Sequence, residues 1–274
     1  MNIVDFILNL AGLLLWLNWR SIRFDPLVRR TPATLMGTLR PAAPRKIRRW
    51  HFLVLISGLL VLRAVIYRWV MPLWVGSLDL GVTALQFRSN SFPRILLFSF
   101  LSFLLALGVF YVGLLLLSLL KGPDPIHRLI KIPLGRVDEW PAGVKILLPL
   151  VGGIAFWLSL FWLLSWLQVC PPTLSMAQRI EQSVAIGLSG YLIWKFPIGL
   201  LLGLHLLNSY VYFGKHPVWN YIEATAQTLM RPFKMIPLRL GRVDFAPVVA
   251  LAAVFLAAEL AGRGLVWVYA RLPL

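Results

Sequence analysis

The sequence predicts an all-α, polytopic helical membrane protein of about six transmembrane helices, arranged as three hairpins with basic cytoplasmic loops. Three observations carry this. The chain is 59% hydrophobic and 14% charged, with a mean hydropathy of +0.79, whereas soluble domains hold about 45–50% and about 25%. Six apolar stretches follow one another along it. The basic residues collect in every second loop.

The first stretch, Ile3–Trp19, is short, with Trp16 and Trp19 as interfacial anchors. Met1–Leu8 hold an acid, Asp5, and no base, while the basic flank, Arg20, follows the stretch, the reverse of a cleavable signal, so it reads as a retained span. The others are Trp50–Val70, Ile95–Leu120, Val144–Leu167, Val184–Leu207 and Pro247–Val268. Most reach the roughly 20 residues that a helix needs to cross about 30 Å of hydrocarbon. A barrel strand needs only about 10 alternating residues, so length selects helix.

Of the 27 Lys and Arg, 19 fall in or beside the loops after the first, third and fifth spans. The positive-inside rule makes those loops cytoplasmic and puts both termini on the far side of the cell (inner) membrane. The net charge of +17 is thereby topogenic, and no nucleic-acid partner is expected. The expected organisation is an N-terminal hairpin 1–72, an external loop 73–94, a second hairpin 95–168, an external loop 169–183 and a third hairpin 184–274. Loop 71–94 alternates weakly through Leu78, Leu80 and Val82, as either a short strand pair or an interfacial skin. Segment 217–230 reads as an amphipathic interfacial helix with Val218, Ile222, Thr225 and Leu229 on one stripe.

The second and third hairpins share a string. Leu-Gly-Arg-Val-Asp occupies 134–138 and again 240–244, each copy ahead of a proline and an apolar run. Such an echo marks an internal repeat. Gly135 and Gly241 permit a turn with φ > 0, Asp138 and Asp244 can cap the free N–H groups, and Pro141 and Pro247 suit a first helical turn. The spacing predicts two helix entrances built to one plan. With Arg136 and Arg242, and with Arg231, Lys234 and Arg239 nearby, they offer contacts for an anionic headgroup or phosphate. Capping plus topogenic charge explains the same residues.

Residues 208–260, through Thr228, Arg231-Pro232-Phe233-Lys234, Pro237, Gly241, Val243-Asp244-Phe245 and Pro247, resemble the YggT family of small integral membrane proteins. A weaker likeness covers 121–155. Two departures stand out: Arg242 replaces the second glycine of the family entrance, and Ala246 its serine. The first copy departs further, with Glu139-Trp140. The resemblance implies a membrane hairpin unit linked to osmotic-shock tolerance, to division functions and, in chloroplast relatives, to cofactor assembly of a cytochrome complex. It implies no agreed activity.

Four ionisable residues fall deep in spans: Arg63, Lys195, Glu259 and Arg263. Such residues are costly unless paired or hydrated. Glu259 and Arg263 are four apart and can pair, and Lys195 is expected to meet Glu259 across the third hairpin. The network reads either as a structural ion pair or as an ion pathway. Pro197 is expected to kink span five. Cys170 stands alone, the four histidines match no ligand motif, and no nucleophile or phosphate-loop motif occurs. The expectation is a non-enzymatic protein without cofactor or metal, a scaffold or assembly and stress-tolerance factor. Its partners would be the bilayer, anionic lipid headgroups, and a membrane or cytoplasmic protein. The alternative is an ion or osmolyte transport component using Lys195 and Glu259.

Overall fold

A computed structural model of the chain describes residues 3–21, 49–70, 75–81, 83–88, 91–120, 126–169, 175–210, 217–235, 239–240 and 243–271. Among these residues six helical segments are long and apolar enough to cross a membrane, and the fold is all-α apart from two minimal two-stranded sheets. All six expose large apolar side chains, from Ile3 and Phe6 to Leu260 and Trp267. A soluble monomer rarely shows such continuous apolar surface. Contacts divide the chain into two units, and the division runs through the third long helix near Leu107.

The first unit contains α1 (Ile3–Ser21), α2 (Arg49–Val70) and the first part of α3 (Phe92–Leu119). The two helices α1 and α2 pack along each other as an antiparallel-type hairpin would. A methyl group at Gly12 would stand 2.6 Å from the Phe103 ring, so this glycine sets how closely α1 approaches α3. The interior here is partly polar. Asp5, Asn9, Arg63, Ser99 and Ser102 are all buried, and the Ser99 hydroxyl donates to the Leu60 carbonyl at 2.8 Å.

The second unit begins with β1 (Val75–Asp79) and β2 (Ala84–Arg88), which pair, so the loop left open between skin and strands is a strand pair. Period-2 burial puts Leu78, Leu80, Leu85 and Phe87 inside. Its turn bends at Gly81, φ +86°, whose N–H donates to Asp79 Oδ1 at 2.8 Å. The later part of α3 leads to a short helix, α4 (Ile126–Leu134), which the apolar pattern did not separate from the loop. Then come α5 (Ala142–Trp166), α6 (Met176–Ser189), α7 (Lys195–Tyr210), α8 (Pro217–Leu229), the two-residue strands β3 (Arg239–Leu240) and β4 (Val243–Asp244), and α9 (Ala246–Arg271).

Span five is therefore broken: α6 and α7 are joined by a 3-10 segment, Gly190–Trp194. Pro197 explains the position, because its ring crowds the carbonyl four residues back, Ile193, and it has no N–H to return. Side chains secure the break, with Trp194 Nε1 donating to the Val112 carbonyl at 3.1 Å and Tyr191 Oη to the Ile146 carbonyl. The Ser189 hydroxyl lies within hydrogen-bond distance of the Leu80 carbonyl in the β turn. Next to it α5 and α6 meet backbone to backbone: a methyl at Gly153 would fall 2.6 Å from Gly187 Cα.

The buried side of α8 is Tyr221, Ile222, Thr225, Ala226 and, just beyond it, Met230, whereas Val218 is exposed. Of the expected stripe, Ile222 and Thr225 are buried and Leu229 packs against the same core, while Val218 alone is exposed and Tyr221 and Ala226 widen the face. Those residues complete two apolar clusters with Leu115, Ile130, Leu134 and Leu201, and with Leu202 and Ala250. The apolar face of α8 thus packs on α3, α4, α7 and α9.

Candidate functional site

The first copy of the repeated string builds a compact polar centre. After α4 the chain turns at Gly135, φ +61°, into a 3-10 segment Gly135–Glu139. That turn folds Asp138 back towards the end of α3. The Ser118 hydroxyl donates to Asp138 Oδ1, and His127 Nε2 lies 3.2 Å from Oδ2. Lys145, on the first turn of α5, donates to Ser118 Oγ at 2.8 Å and to the Asp138 carbonyl at 2.6 Å, with its ammonium 3.9 Å from Oδ1. Side chains of Lys145 and Asp138 are 8% and 6% exposed, so the two opposite charges are buried together.

Asp138 is therefore not the predicted helix cap. The N-cap of α5 is Pro141, which makes no side-chain cap bond. The carboxylate is used up by Ser118, His127 and Lys145, and it does not face outward to an anion. Its order of partners also argues against nucleophilic chemistry at Ser118: the acid stands between the histidine and the serine, and the serine proton points at the acid.

Around this centre Lys131 and Glu139 pair at 2.8 Å on the surface. The hydrogen bond and charge of Glu139 raise the Lys131 amine, and Lys131 in turn holds the Glu139 carboxyl below its usual range. Arg136 is exposed, and among the described residues no acid pairs with it.

The second copy does not repeat the first. Arg239–Leu240 pairs with Val243–Asp244 as a minimal antiparallel hairpin, Arg239 opposite Asp244. Val137–Asp138 are 3-10 where the matching Val243–Asp244 are strand, which corrects the expectation of one plan. What differs is the approach. The first string continues directly from α4, whereas a separate 3-10 turn, Arg231–Met235, precedes the second, and the sequence between them contains Pro237. At the position matching Lys145 stands Leu251, so no second ammonium is available. Arg231 is exposed. The side chains of Lys234, Arg239 and Asp244, and all of Arg242, lie outside the described residues.

The deep charges separate into three arrangements. Arg63 is buried in the first unit, where its guanidinium meets Asp5 and donates to Asn9 Oδ1 at 2.9 Å and Ser102 Oγ at 3.0 Å. The Tyr67 hydroxyl also donates to Asp5, and the Phe98 ring lies 5.2 Å from the guanidinium carbon. In the second unit Glu259 accepts from Arg263 at 2.9 Å. Lys195 lies over the Phe196 ring, 5.2 Å from its centroid, and makes no ion pair with Glu259. The expected Lys195–Glu259 contact is thus absent, because Arg263 is on the same helix one turn away and reaches Glu259 first.

Asp5, Asn9, Ser102, Ser118, His127 and Lys145 were not among the predicted site residues. A signal existed for the first two: Asp5 and Asn9 are four apart on α1, matching Arg63 and Tyr67 four apart on α2. Among the described residues no cluster of His, Cys, Asp or Glu is placed to hold a metal. No family model, curated protein or solved structure matches the chain. The likeness to the YggT family rests on the motifs quoted above.

Proposed function

We propose that the protein is a non-enzymatic inner-membrane scaffold of the YggT type, acting in assembly or stress tolerance, that holds basic cytoplasmic loops against anionic lipid headgroups or a protein partner. The observation that carries this reading is the internal use of acid at the loop after span three. Asp138 is neutralised by Lys145, and Glu139 by Lys131, while Arg136 is left exposed. Each of these acids is matched by one lysine, so the excess of base in the loop falls on the other residues, Arg136 among them. With 19 basic residues on that side, the surface attracts anionic headgroups, and each base near the surface adds about 1 kcal/mol. The test is to purify the full chain in mild detergent and weigh co-purifying anionic lipid and protein. Reversal of Arg136 and Arg231 to Glu should deplete both without loss of insertion. Undiminished co-purification would overturn the reading.

A transport role is favoured by one observation only, the helix break at Gly190–Trp194 beside Lys195. Irregular backbone at membrane depth occurs where it is enclosed by protein or lines a water-filled path. Ion flux into liposomes that does not rise above protein-free vesicles would dismiss it.

A further inference from the structure

The last long helix carries its charges on the wrong side. On α9, the residues turned to α7 are Pro247, Ala250, Val254, Ala258 and Gly262, which are buried or half-buried. Leu251 and Phe255 also meet α7 at Gly199, so at 100° per residue Glu259 projects from the flank and Arg263 from the opposite side, together with Leu256, Leu260 and Trp267. All five are exposed, the Glu259 side chain by 57% and that of Arg263 by 76%. Glu259 lies about 20 Å along α9 from Ala246 at 1.5 Å per residue, near the middle of the bilayer core. Arg263 does not extend towards the nearer membrane surface; its Nε turns back to Glu259. An ion pair facing hydrocarbon at that depth is unfavourable unless protein covers it.

We infer that this face of α9 is an interface between two copies of the chain, packed side by side in the membrane. The charge pattern selects the occupant. A two-fold axis along the membrane normal brings each Glu259 to the partner copy's arginine and each Arg263 to the partner copy's glutamate, because a surface that carries both signs one turn apart is complementary to itself. The pair then becomes a closed ring of four charges with Leu256, Leu260 and Trp267 around it. A different protein would need a matching acid and base at the same depth.

Cross-linking in native membranes tests this on the full chain, with Cys170→Ser as background. Leu260→Cys, oxidised by copper phenanthroline, should give a covalent homodimer, and Val254→Cys on the α7 side should not. No dimer from Leu260→Cys, equal dimer from both positions, or an adduct of another mass would overturn the inference. The charges are tested by mixing. A Glu259→Arg copy has two bases and an Arg263→Glu copy two acids, so each with Leu260→Cys should lose the dimer when expressed alone, and co-expression should restore it. Unchanged dimer from either reversed copy alone, or none from the mixture, also overturns it. Where a reversed copy fails to accumulate alone, the Leu260→Cys and Val254→Cys comparison, which leaves the charges intact, decides.

Discussion

Asp5 and Arg63, 58 residues apart in the chain, form a buried ion pair between the first two long helices. Asn9 and Ser102 accept from the guanidinium and Tyr67 donates to the carboxylate, so α1, α2 and the first part of α3 are tied by a single polar knot, in which Arg63 Nε alone of the guanidinium nitrogens has no partner. Breaking a buried pair leaves a lone charge and costs about 3–5 kcal/mol, whereas removing both charges often costs far less. Arg63→Met and Asp5→Leu should each lower thermal stability in detergent by that order. The double variant should regain most of the loss, and a double loss equal to the sum would show that the two side chains act independently.

Lys145 and Asp138 should behave in the same way in the second unit. Lys145→Met leaves the Asp138 carboxylate buried beside a half-buried histidine, and Asp138→Asn in the same chain should restore stability. Ser118→Ala removes one hydrogen bond from each of them and should cost about 1–3 kcal/mol. Differential scanning of the four proteins checks both statements.

Lys195 and Glu259 should show no coupling. In a double-mutant cycle of Lys195→Met and Glu259→Gln the losses should add, because the side chains have separate partners. Glu259 and Arg263, four apart on one helix, should couple by only about 0.2–0.5 kcal/mol within a single copy.

Gly153→Ala and Gly187→Ala should each destabilise the second unit by about 1–3 kcal/mol, as overpacking does. Each added methyl meets backbone atoms of the other helix, which cannot rotate away. Gly152→Ala, where a methyl meets nothing within 4 Å, is the control and should leave the melting temperature in place.

The surface pair Lys131–Glu139 sets a pH window. The Glu139 carboxyl is lowered, so its contribution is present above the ordinary 4.5 and is lost as pH falls through its folded value. The Lys131 amine is raised, so its contribution is present below 10.5 and is lost as pH rises through its folded value. NMR titration of Glu139 should give a midpoint under 4.5 that returns to normal in Lys131→Met.

The long helices were legible because an apolar run of some twenty residues has few alternatives. Span positions follow from the run and the flanking charge, as with Trp50–Val70 against α2 and Pro247–Val268 against α9. The polar contacts were not legible in the same way. Lys195 and Glu259 stand at equal depth on neighbouring helices, yet depth does not fix rotation about the helix axis, and a partner on the same helix prevails. The stripe on α8 kept Ile222, Thr225 and Leu229 but lost Val218 for a similar reason. Its sequence offers Val218 and Tyr221 as competing edges, and contacts with α3, α4 and α7 choose Tyr221. Lys145 looked like one more topogenic charge, since nothing local announces that Ser118, 27 positions earlier, lies beside it.

The two Leu-Gly-Arg-Val-Asp strings form a natural swap experiment. Exchanging them changes no atom, so whatever puts Val137–Asp138 in a 3-10 turn and Val243–Asp244 in a strand must reside in the flanks. A chimera that grafts residues 126–133 in place of the eight residues before Leu240 should carry the coil with it, and circular dichroism or amide exchange at Gly241 would read the outcome. Duplication in this chain has thus copied a spelling without copying its pronunciation, and later substitutions in the neighbouring turns gave each copy its own.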